Sequence, residues 1–506
     1  MQNRLARRSA LVAASLGYGA LLVILRGAPS VRDDAGIFLS VAARLLDGDR
    51  LYADVYDNKD PLFFYVEAAA LGVGGWRAPF ALDVLWVAVA ALSAAGLLRA
   101  IGAPRATAAV GFVCYPLLLT GTWYYAGYSM LAALALAPLA GWLWARGRWG
   151  WAGAVLGAAL LFKLNLVLVL VAAPLVLTAL SPPGGSLRRL LARAAGGLGT
   201  TLGAAAAFLA ARGELGPYID MVRENVSYAN DVLVYTGREG TIAGHVRTAA
   251  GDTPHFWLVL SLFAVGAALA VWKLVRSIRA GARAAPETVL AGLVLVCGGA
   301  VALTLALTAA WDHHVQMVAY PGMLLIAFLA FSALNAPLAL RARWVGAGAA
   351  VGVGLFLLGG ADAPGSIGSA SPSRWWSDPR SYTAEALQEV RDERFSESAA
   401  VTYAHLGQND EEAHAVFLRG PFELVCPRFH QYVHTHDLDA ALRCLEERRP
   451  QLIVVTSSFR FYPEAPERWN AWADRGRAFL ERRYRRALRR ETPRGPVEVW
   501  IARPST

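Results

Sequence analysis

The chain carries, at residues 33–61, the segment DDAGIFLSVAARLLDGDRLYADVYDNKDP, which lies between its first two strongly apolar stretches. Residues 33–67 hold eight carboxylates in a protein that is otherwise apolar, namely Asp33, Asp34, Asp47, Asp49, Asp54, Asp57, Asp60 and Glu67. Because ionised side chains are costly in hydrocarbon, this segment is predicted to lie in water beside a membrane. It is therefore where we expect the chemistry.

The composition predicts a mainly α-helical polytopic membrane protein. The chain has 506 residues, of which 56% are hydrophobic and only 17% are charged, whereas soluble domains average about 25% charged residues. The basic start, Met1–Arg8, is followed by an apolar run that ends near Arg26 and Pro29 without a small-residue cleavage pattern. We interpret residues 9–28 as the first transmembrane helix.

The net charge of +10 is explained by membrane topology, and we expect no nucleic-acid partner. One set of short loops between apolar stretches contains no acid apart from Glu287, whereas the alternate loops hold the carboxylates. This asymmetry is the positive-inside pattern, and it predicts a cytoplasmic amino terminus. The basic set comprises Arg4, Arg7, Arg8, Arg99, Arg105, Arg146, Arg148, Arg188, Arg189, Arg193, Lys273, Arg276, Arg279, Arg283, Arg341 and Arg343.

Eleven apolar stretches are assigned as spans, since a bilayer crossing needs about 20 residues. They are 9–28, 79–99, 106–122, 127–145, 149–162, 164–180, 195–211, 255–273, 288–310, 315–334 and 344–361. An odd number places the carboxy terminus outside. The predicted domains are a transmembrane domain at 1–361 with external loops 29–78 and 212–254, a linker at 362–374, and an extracytoplasmic α/β domain at 375–506.

Three stretches need separate interpretation. Residues 61–76 are apolar but short and contain Glu67, and a crossing there would export every later basic loop, so we predict an interfacial helix on the outer face. Residues 149–180 are interrupted only by Lys163 and predict either a tight re-entrant hairpin or one long broken element. The composition of 212–254 is suited to a mobile cover over a site or to plain external surface.

Local patterns predict further elements. Residues 35–47 have an apolar residue every four positions after two aspartates, which indicates an amphipathic helix ending at Gly48. In the tail we predict helices at 438–448 and 466–483 and strands at 451–456 and 497–502. Cys426 and Cys444 lie in that tail, where an oxidising compartment would allow a disulfide.

Motifs in the first loop resemble those of GT-C fold glycosyltransferases. They are Asp34-x-Gly36-x-Phe38, Gly48-Asp49-x-Leu51-Tyr52-x-Asp54 and Asp57-x-Lys59-x-Pro61-Leu62. The pattern is similar to bacterial members related to protein O-mannosyltransferases and to the lipid A aminoarabinose transferase. Later motifs of that family are resembled by Phe162-Lys163-Leu164-Asn165 and by His314-Val315-Gln316-Met317 with Pro321. The resemblance covers about residues 9–361.

The resemblance implies transfer of a sugar from a polyprenyl-phosphate carrier to an acceptor hydroxyl on the outer face, with inversion. The acceptor is a glycan, a lipid or a protein. By position Asp34 matches the family's essential loop aspartate, with Asp33 one residue earlier. A helix N-cap would explain one of these aspartates but not both. A carboxylate that takes the proton of an attacking hydroxyl typically contributes about 10²–10⁴-fold to the rate.

Cations are expected around the departing lipid phosphate, which is already a stable anion. The candidates are Lys59, Lys163, His314 and Arg247. Lys163 lies between apolar residues, where an ionised side chain is functional by default, although its stem could also snorkel to a nearby interface. Candidates for binding sugar or acceptor hydroxyls are Asp54, Asp57, Asp60, Tyr52, His313 and Tyr125.

The sequence departs from the family in one place and leaves alternatives in others. Family members have an aspartate after a Tyr-Ala pair, whereas residues 125–129 read YAGYS, so that carboxylate is either dispensable or replaced by Asp54, Asp57 or Asp60. No cofactor is certain, although Asp312, His313 and His314 could bind a divalent cation. The more favoured reading is a polar helix cap with His314 facing the phosphate.

Two other function classes remain open. A lipid-linked-sugar flippase or another polytopic transporter should place charges and broken helices near the midplane of the membrane, whereas these carboxylates cluster outside it. A non-catalytic assembly or sensor protein would leave the paired acids of the first loop without a task.

Overall fold

The computed structural model describes residues 2–26, 33–121, 127–181, 186–235, 256–307, 312–337, 381–406, 418–426, 438–456, 467–492 and 495–504. The chain divides into two compact units. Unit 1 comprises Met1–Pro29, Phe80–Ala207 and Glu239–Trp376. Unit 2 comprises Ser30–Pro79, Phe208–Arg238 and Ser377–Thr506, so the acidic first loop belongs to the second unit.

Helices dominate the region up to residue 335. They are α1 (Gln2–Arg26), α2 (Asp33–Leu46), α3 (Pro61–Gly74), α4 (Ala78–Ala100), α5 (Arg105–Gly121), α6 (Ser129–Ala145), α7 (Trp149–Phe162), α8 (Val167–Leu180), α9 (Leu187–Ala211), α10 (Leu215–Tyr235), α11 (Phe256–Arg279), α12 (Pro286–Leu307) and α13 (Ala319–Asn335). Ten of the eleven predicted spans coincide with helices in the described part of the chain. The eleventh, 344–361, lies outside the described residues.

The helices are those of a polytopic membrane fold. Within the described residues, four helical stretches are long and apolar enough to cross a bilayer, namely Pro61–Ala100, Leu187–Ala211, Pro286–Leu305 and Gln316–Asn335. Shorter apolar helices accompany them. The predicted helix at 61–76 forms as α3, and a single turn of 3₁₀ helix at Gly75–Arg77 joins it to α4. Its interfacial placement and the number of crossings stay predictions.

Helices α4 to α8 of unit 1 alternate in direction between two ends. At the start of α4, Asp83 accepts the N–H of Gly127 just before α6, at 2.8 Å. Gly96, near the end of α4, lies against the Trp142 ring of α6, so these two helices run in the same direction. We call the end with Asp83 the polar end. The opposite end holds Arg99 and Arg146, and we call it the basic end.

The structure decides between the two interpretations of residues 149–180 in favour of a hairpin. The Phe162 ring, at the end of α7, lies 5.2 Å from the Trp86 ring near the start of α4. At the other end of α8, Trp144 Nε1 donates to Thr178 Oγ1 at 3.1 Å. Both α7 and α8 therefore run along α6, in opposite directions. Lys163 is the turning residue and lies at the polar end.

Glycines allow α7 and α9 to pack at backbone contact. A Cβ added to Gly197 would lie 1.9 Å from the carbonyl oxygen of Gly150, and one added to Gly153 would lie 2.0 Å from that of Ala194. Small residues at helix crossings of this kind are a standard means of helix association in membranes. The contact fixes α7, the first helix of the hairpin, against α9.

The tail forms a five-stranded sheet with the order β2-β1-β3-β5-β4. The strands are β1 (Val401–Leu406), β2 (Phe422–Leu424), β3 (Leu452–Thr456), β4 (Tyr484–Thr492) and β5 (Gly495–Ala502), and the helices are α14 (Tyr382–Arg394), α15 (Leu438–Arg448) and α16 (Glu467–Arg483). β1 pairs in parallel with β2 and β3, while β5 is antiparallel to β3 and β4. The four predicted tail elements are confirmed; β1, β2, β4 and α14 were not predicted.

The tail also contains the disulfide that its cysteines allowed. Cys426 and Cys444 are bonded, with their Cα atoms 6.0 Å apart. Cys426 is buried among Leu445, Trp472 and Trp500 on one face of the sheet. The bridge ties the chain after β2 to α15. Cys114 and Cys297 are free.

We expect Gly197→Ala to destabilise the protein, because the new methyl group would overlap a backbone carbonyl that cannot rotate away. Overpacking typically costs about 1–3 kcal/mol. Gly199→Ala is the matched control, since no atom lies within 4 Å of a Cβ at that position. The measurement is thermal unfolding of both variants in the same detergent. Equal melting temperatures for the two would contradict the described contact.

We expect the tail disulfide to protect both of its cysteines from alkylation. The protein would carry Cys114→Ser and Cys297→Ser, be denatured in SDS, and be treated with a maleimide polymer with and without prior reduction. Two adducts should form only after reduction. Cys444→Ser should give one adduct without reduction. Two adducts on unreduced protein would show that the bridge does not form.

Candidate functional site

Helix α2 begins at Asp33, and its packing fixes the first loop on α3. The Phe38 ring meets the rings of Phe63 and Phe64 at 4.9 and 5.9 Å. The predicted helix is confirmed, with Ile37, Val41 and Leu45 buried, but residues 36–42 are all buried, so its middle does not show one exposed polar face. The side chains of Asp33 and Asp34 lie outside the described residues, so the role of Asp34 as a base stays a prediction.

A tight turn follows α2 and forces an unusual backbone. Tyr52 has φ +65°, although it is not a glycine, and its N–H donates to the carbonyl oxygen of Val55 at 2.6 Å. Non-glycine residues in this region cost about 1–3 kcal/mol and mark sites where the surroundings impose the conformation. Here the surroundings include Arg50, which holds both carboxylate oxygens of Asp54 at 2.8 and 2.9 Å. That hydrogen bonding lowers the pKa of Asp54.

The segment 57–60 presents Lys59 in a fixed geometry. Asp57 Oδ1 accepts the N–H of Lys59 at 3.1 Å and lies 3.9 Å from its ammonium nitrogen. The ammonium also donates to Asn58 Oδ1 at 2.5 Å and lies 5.3 Å from the centre of the Phe38 ring. The Tyr52 hydroxyl donates to the Lys59 carbonyl oxygen at 2.7 Å. A lysine held by these groups is a preorganised cation.

Three tyrosine–carboxylate hydrogen bonds join the first loop to α10 and the residue before it. Tyr218 donates to Asp60 Oδ1 at 3.1 Å, and Tyr56 donates to Glu224 Oε2 at 3.0 Å. Tyr65 donates to Glu214. Burial, followed by the neighbouring Asp60 carboxylate, raises the pKa of both Tyr218 and Tyr52. These phenols therefore remain donors at neutral pH.

Glu214, immediately before α10, accepts hydrogen bonds from three groups. It is fully buried. Its carboxylate accepts from the Leu51 N–H at 3.0 Å and from Arg212 Nε at 2.8 Å, in addition to Tyr65. The three donors satisfy a carboxylate that is removed from water. It anchors the start of α10 to the turn of the first loop.

The composition of residues 212–254 predicts a mobile cover or plain external surface and gives no indication of helix α10. The first part of that region is a regular helix from Leu215 to Tyr235. A signal was present: Glu214, Tyr218, Met221 and Asn225 follow the spacing of one helical face. All but Met221 are polar, which is why the stretch lacked the hydrophobic periodicity on which the prediction relied.

A second cluster occupies the polar end of unit 1. Lys163 is 7% exposed, and its ammonium nitrogen lies 5.5 Å from the centre of the Tyr128 ring. His314 and Asp83 are buried there too, at 5% and 2% exposure. Gln316 donates from Nε2 to the carbonyl oxygen of Leu119 at 2.7 Å, which ties the turn containing His314 to the end of α5.

Asp83 and Gly127 define the turn that precedes Tyr128 and α6. Gly127 has φ +71°, and a Cβ there would lie 3.2 Å from the Phe80 ring. Its N–H is the group that Asp83 accepts. A buried carboxylate on α4 therefore fixes the turn that brings Tyr128 to Lys163. Asp83 was not among the predicted site residues. It places a carboxylate beside Gly127 in the YAGYS stretch, which itself contains no acidic residue.

Helix α7, which ends just before Lys163, has 14 residues. It therefore rises about 21 Å, less than the hydrocarbon thickness of about 30 Å. The Lys163 side chain at its end is buried. The aromatic face of Tyr128 then compensates part of the desolvation of the ammonium group.

The predicted site residues fall into three groups. Unit 2 holds Lys59, Asp54, Asp57, Asp60 and Tyr52, and unit 1 holds Lys163 and His314. Tyr125 and Arg247, and the side chains of Asp33, Asp34, Asp312 and His313, lie outside the described residues. Within the residues that the structure describes, no group of three His, Cys, Asp or Glu side chains could hold a metal ion. Substrate-binding roles for Asp54 and Tyr52 stay predictions.

Comparison with solved structures identifies the same fold in a known protein. ArnT from Cupriavidus metallidurans bound to undecaprenyl phosphate matches with a TM-score of 0.54 and 15% identity, covering 99% of this chain and 98% of that one. ArnT in its apo state matches with a TM-score of 0.50 and 14% identity, over 99% of this chain and 100% of that one. ArnT is a GT-C fold glycosyltransferase, the lipid A aminoarabinose transferase. The GT-C resemblance is thus confirmed at the level of the fold.

Other comparisons add little. The archaeal oligosaccharyltransferase AglB from Archaeoglobus fulgidus, in complex with an inhibitory peptide and a dolichol-phosphate, matches with a TM-score of 0.45 and 14% identity, over 98% of this chain and 75% of that one. No protein-family model matches the chain, and no curated protein matches it in sequence.

We expect Glu214→Gln to destabilise the protein, because the amide leaves Arg212 without its ion pair and turns an N–H₂ group towards other donors. A buried polar group that loses its partner typically costs about 1–3 kcal/mol. Asp220→Asn is the matched control on the outer side of α10, where the carboxylate is 66% exposed. The measurement is thermal unfolding in detergent. An equal, small shift for both variants would contradict the anchoring role.

Proposed function

We propose that this protein is an integral membrane glycosyltransferase that moves a sugar from a polyprenyl-phosphate carrier to an acceptor hydroxyl on the extracytoplasmic face. The observation on which this proposal depends is the buried Lys163 ammonium group at a helix turn inside an apolar helical unit. A buried ionised side chain between apolar helices is functional by default. The fold shared with ArnT, which has been solved with undecaprenyl phosphate, suggests a lipid phosphate as its ligand.

The chemistry follows from the charge changes of the reaction. The acceptor oxygen forms a bond to the anomeric carbon while the bond from that carbon to the phosphate oxygen breaks, and the electron pair leaves with the phosphate. Attack from the opposite side inverts the anomeric centre. Asp34 takes the proton of the acceptor hydroxyl, with Asp33 beside it. Lys59, Lys163, His314 and Arg247 neutralise the departing phosphate.

The remaining polar groups would bind sugar or acceptor hydroxyls. Asp57 and Asp60 are supported by their place beside Lys59, and Asp54, Tyr52, His313 and Tyr125 complete the proposed set. The sugar is a hexose or a pentose, and the acceptor is a glycan, a lipid or a protein. Carboxylates suit such substrates because each can accept hydrogen bonds from two hydroxyl groups.

The proposed orientation in a bacterial inner membrane has the amino terminus in the cytoplasm and the tail domain outside, after about eleven crossings. Two features support it. Arg99, Arg146 and Arg148 mark the end of unit 1 opposite Lys163, as the positive-inside rule predicts for the cytoplasmic face. The Cys426–Cys444 disulfide is the kind of bond that persists in an oxidising compartment.

We expect Asp34→Asn to abolish transfer while leaving lipid-phosphate binding intact, because the amide cannot accept the hydroxyl proton. The purified protein in nanodiscs would be given radiolabelled polyprenyl-phosphate sugars, with undecaprenyl phosphate binding measured in parallel. Loss of a general base should lower the rate by about 10²–10⁴-fold. Asp47→Asn, at the other end of α2, is the matched control and should keep the wild-type rate. Unchanged transfer by Asp34→Asn would remove Asp34 from its role.

Lys163→Met tests the observation on which the proposal depends. Met keeps a similar length without the charge, so we expect undecaprenyl phosphate binding to weaken while the protein remains folded. Loss of a charge-assisted contact of about 1.5–3 kcal/mol corresponds to roughly 10- to 150-fold in affinity. Unchanged affinity would show that Lys163 serves the fold and not the donor.

A further inference from the structure

The backbone around Lys59 is held by side chains from outside its own segment. The carbonyl oxygen of Lys59 accepts from the Tyr52 hydroxyl at 2.7 Å, and that of Asn58 accepts from Asn225 Nδ2 at 3.0 Å. The Asp60 carboxylate accepts from the Tyr218 hydroxyl at 3.1 Å. Short loops usually leave such groups to water. Here three successive residues each have a protein partner.

Two of these partners come from one face of α10. Tyr218 and Asn225 are seven residues apart, which places them two turns apart on the same side of the helix. Met221 lies between them, is 1% exposed, and has its sulfur 3.0 Å from Asn225 Nδ2. The face is therefore packed as well as hydrogen-bonded. The opposite side carries the exposed pair Asp220 and Arg223.

The third partner is linked to α10 through ring contact. The Tyr52 ring lies 5.4 Å from the Tyr218 ring, between centroids. Tyr52 reaches this position with a positive φ that its side chain disfavours. Tyr52 therefore depends on the same helix that holds Asn58 and Asp60. Removal of α10 contacts should relax all three attachments.

We propose that α10, through Tyr218 and Asn225, is the positioning helix for the segment 57–60 and thereby presets the Lys59 ammonium group for a phosphate. The inference rests on the proposed role of Lys59 as a donor-phosphate ligand. A lysine side chain loses much rotamer freedom on binding, so restraining it beforehand lowers the cost of capture. In the structure the Lys59 side chain is already only 12% exposed.

The first experiment needs no activity and measures amide hydrogen exchange of the full-length protein in nanodiscs. Tyr218→Phe keeps the ring but removes the donor to Asp60, and Asn225→Ala removes the donor to Asn58. Both should accelerate exchange in peptides covering residues 50–66. Loss of one hydrogen bond corresponds to about 2- to 10-fold. Arg223→Gln, on the outer side of α10, is the control and should leave these peptides unchanged.

Two exchange results would overturn the inference. The first is unchanged exchange in both Tyr218→Phe and Asn225→Ala. The second is acceleration spread evenly over the whole protein, because it would mean that these residues only support global stability. Either conclusion holds whether or not the protein transfers sugar, since exchange is independent of turnover.

The second experiment is a double-mutant cycle on undecaprenyl phosphate affinity. Tyr218→Phe should weaken binding about 3- to 10-fold in the wild-type background, within the range of one hydrogen bond. Tyr218→Phe should have no further effect in the Lys59→Ala background, since the ammonium group that Tyr218 positions is then absent. The same fold-change in both backgrounds would show that Tyr218 acts without Lys59, which overturns the positioning role.

The cycle separates this inference from the proposed function. If Lys59→Ala alone leaves affinity unchanged while exchange still responds to Tyr218→Phe, the phosphate role of Lys59 is wrong and α10 only orders the loop. If Lys59→Ala weakens binding and the two effects are additive, the phosphate role stands and the positioning role is wrong. Non-additive weakening with local exchange supports both.

Discussion

Hydrocarbon cannot solvate ionised side chains, and this physical constraint governs where the charged residues of the chain lie. This constraint explains why the basic and the acidic residues lie in different parts of the chain. Arginines occupy the basic end of unit 1, while the carboxylates of residues 33–67 gather in the first loop. Lys163 is buried at the turn between α7 and α8, with its ammonium nitrogen 5.5 Å from the centre of the Tyr128 ring. A protein that must insert into a membrane has a physical reason to omit such a charge unless it is used.

The cost of burying charge is met differently in the two units. At the polar end of unit 1, the Tyr128 ring lies against the Lys163 ammonium group, and the Asp83 carboxylate accepts the backbone N–H of Gly127. In unit 2 the acids are bound by neutral phenols as well as by cations: Tyr218, Tyr56 and Tyr65 each donate to one carboxylate. Neutral donors satisfy these carboxylates without cancelling their charge.

Helix α10 connects the fold to the proposed chemistry. Loops that carry functional groups are usually positioned by a rigid scaffold. Here the scaffold is a polar helix that forms side-chain hydrogen bonds with several residues of the first loop. Glu214 fixes the turn at Leu51, and Asn225 fixes the chain at Asn58. The strained Tyr52 lies between these attachments. Strain of this kind persists only where neighbouring contacts over-determine the conformation.

The sequence by itself determined the helices that coincide with ten of the eleven predicted spans, the acidic first loop, helix α2 and four elements of the tail. Each of these follows from local patterns of polarity, which a window of neighbouring residues contains. Only the tertiary structure decided that α7 and α8 form a hairpin, that Asp83 supports the Gly127 corner and that residues 215–235 are a helix. These depend on partners far apart in sequence, such as Tyr218 with Asp60, and polar pairing between distant segments leaves no periodic signal in either one.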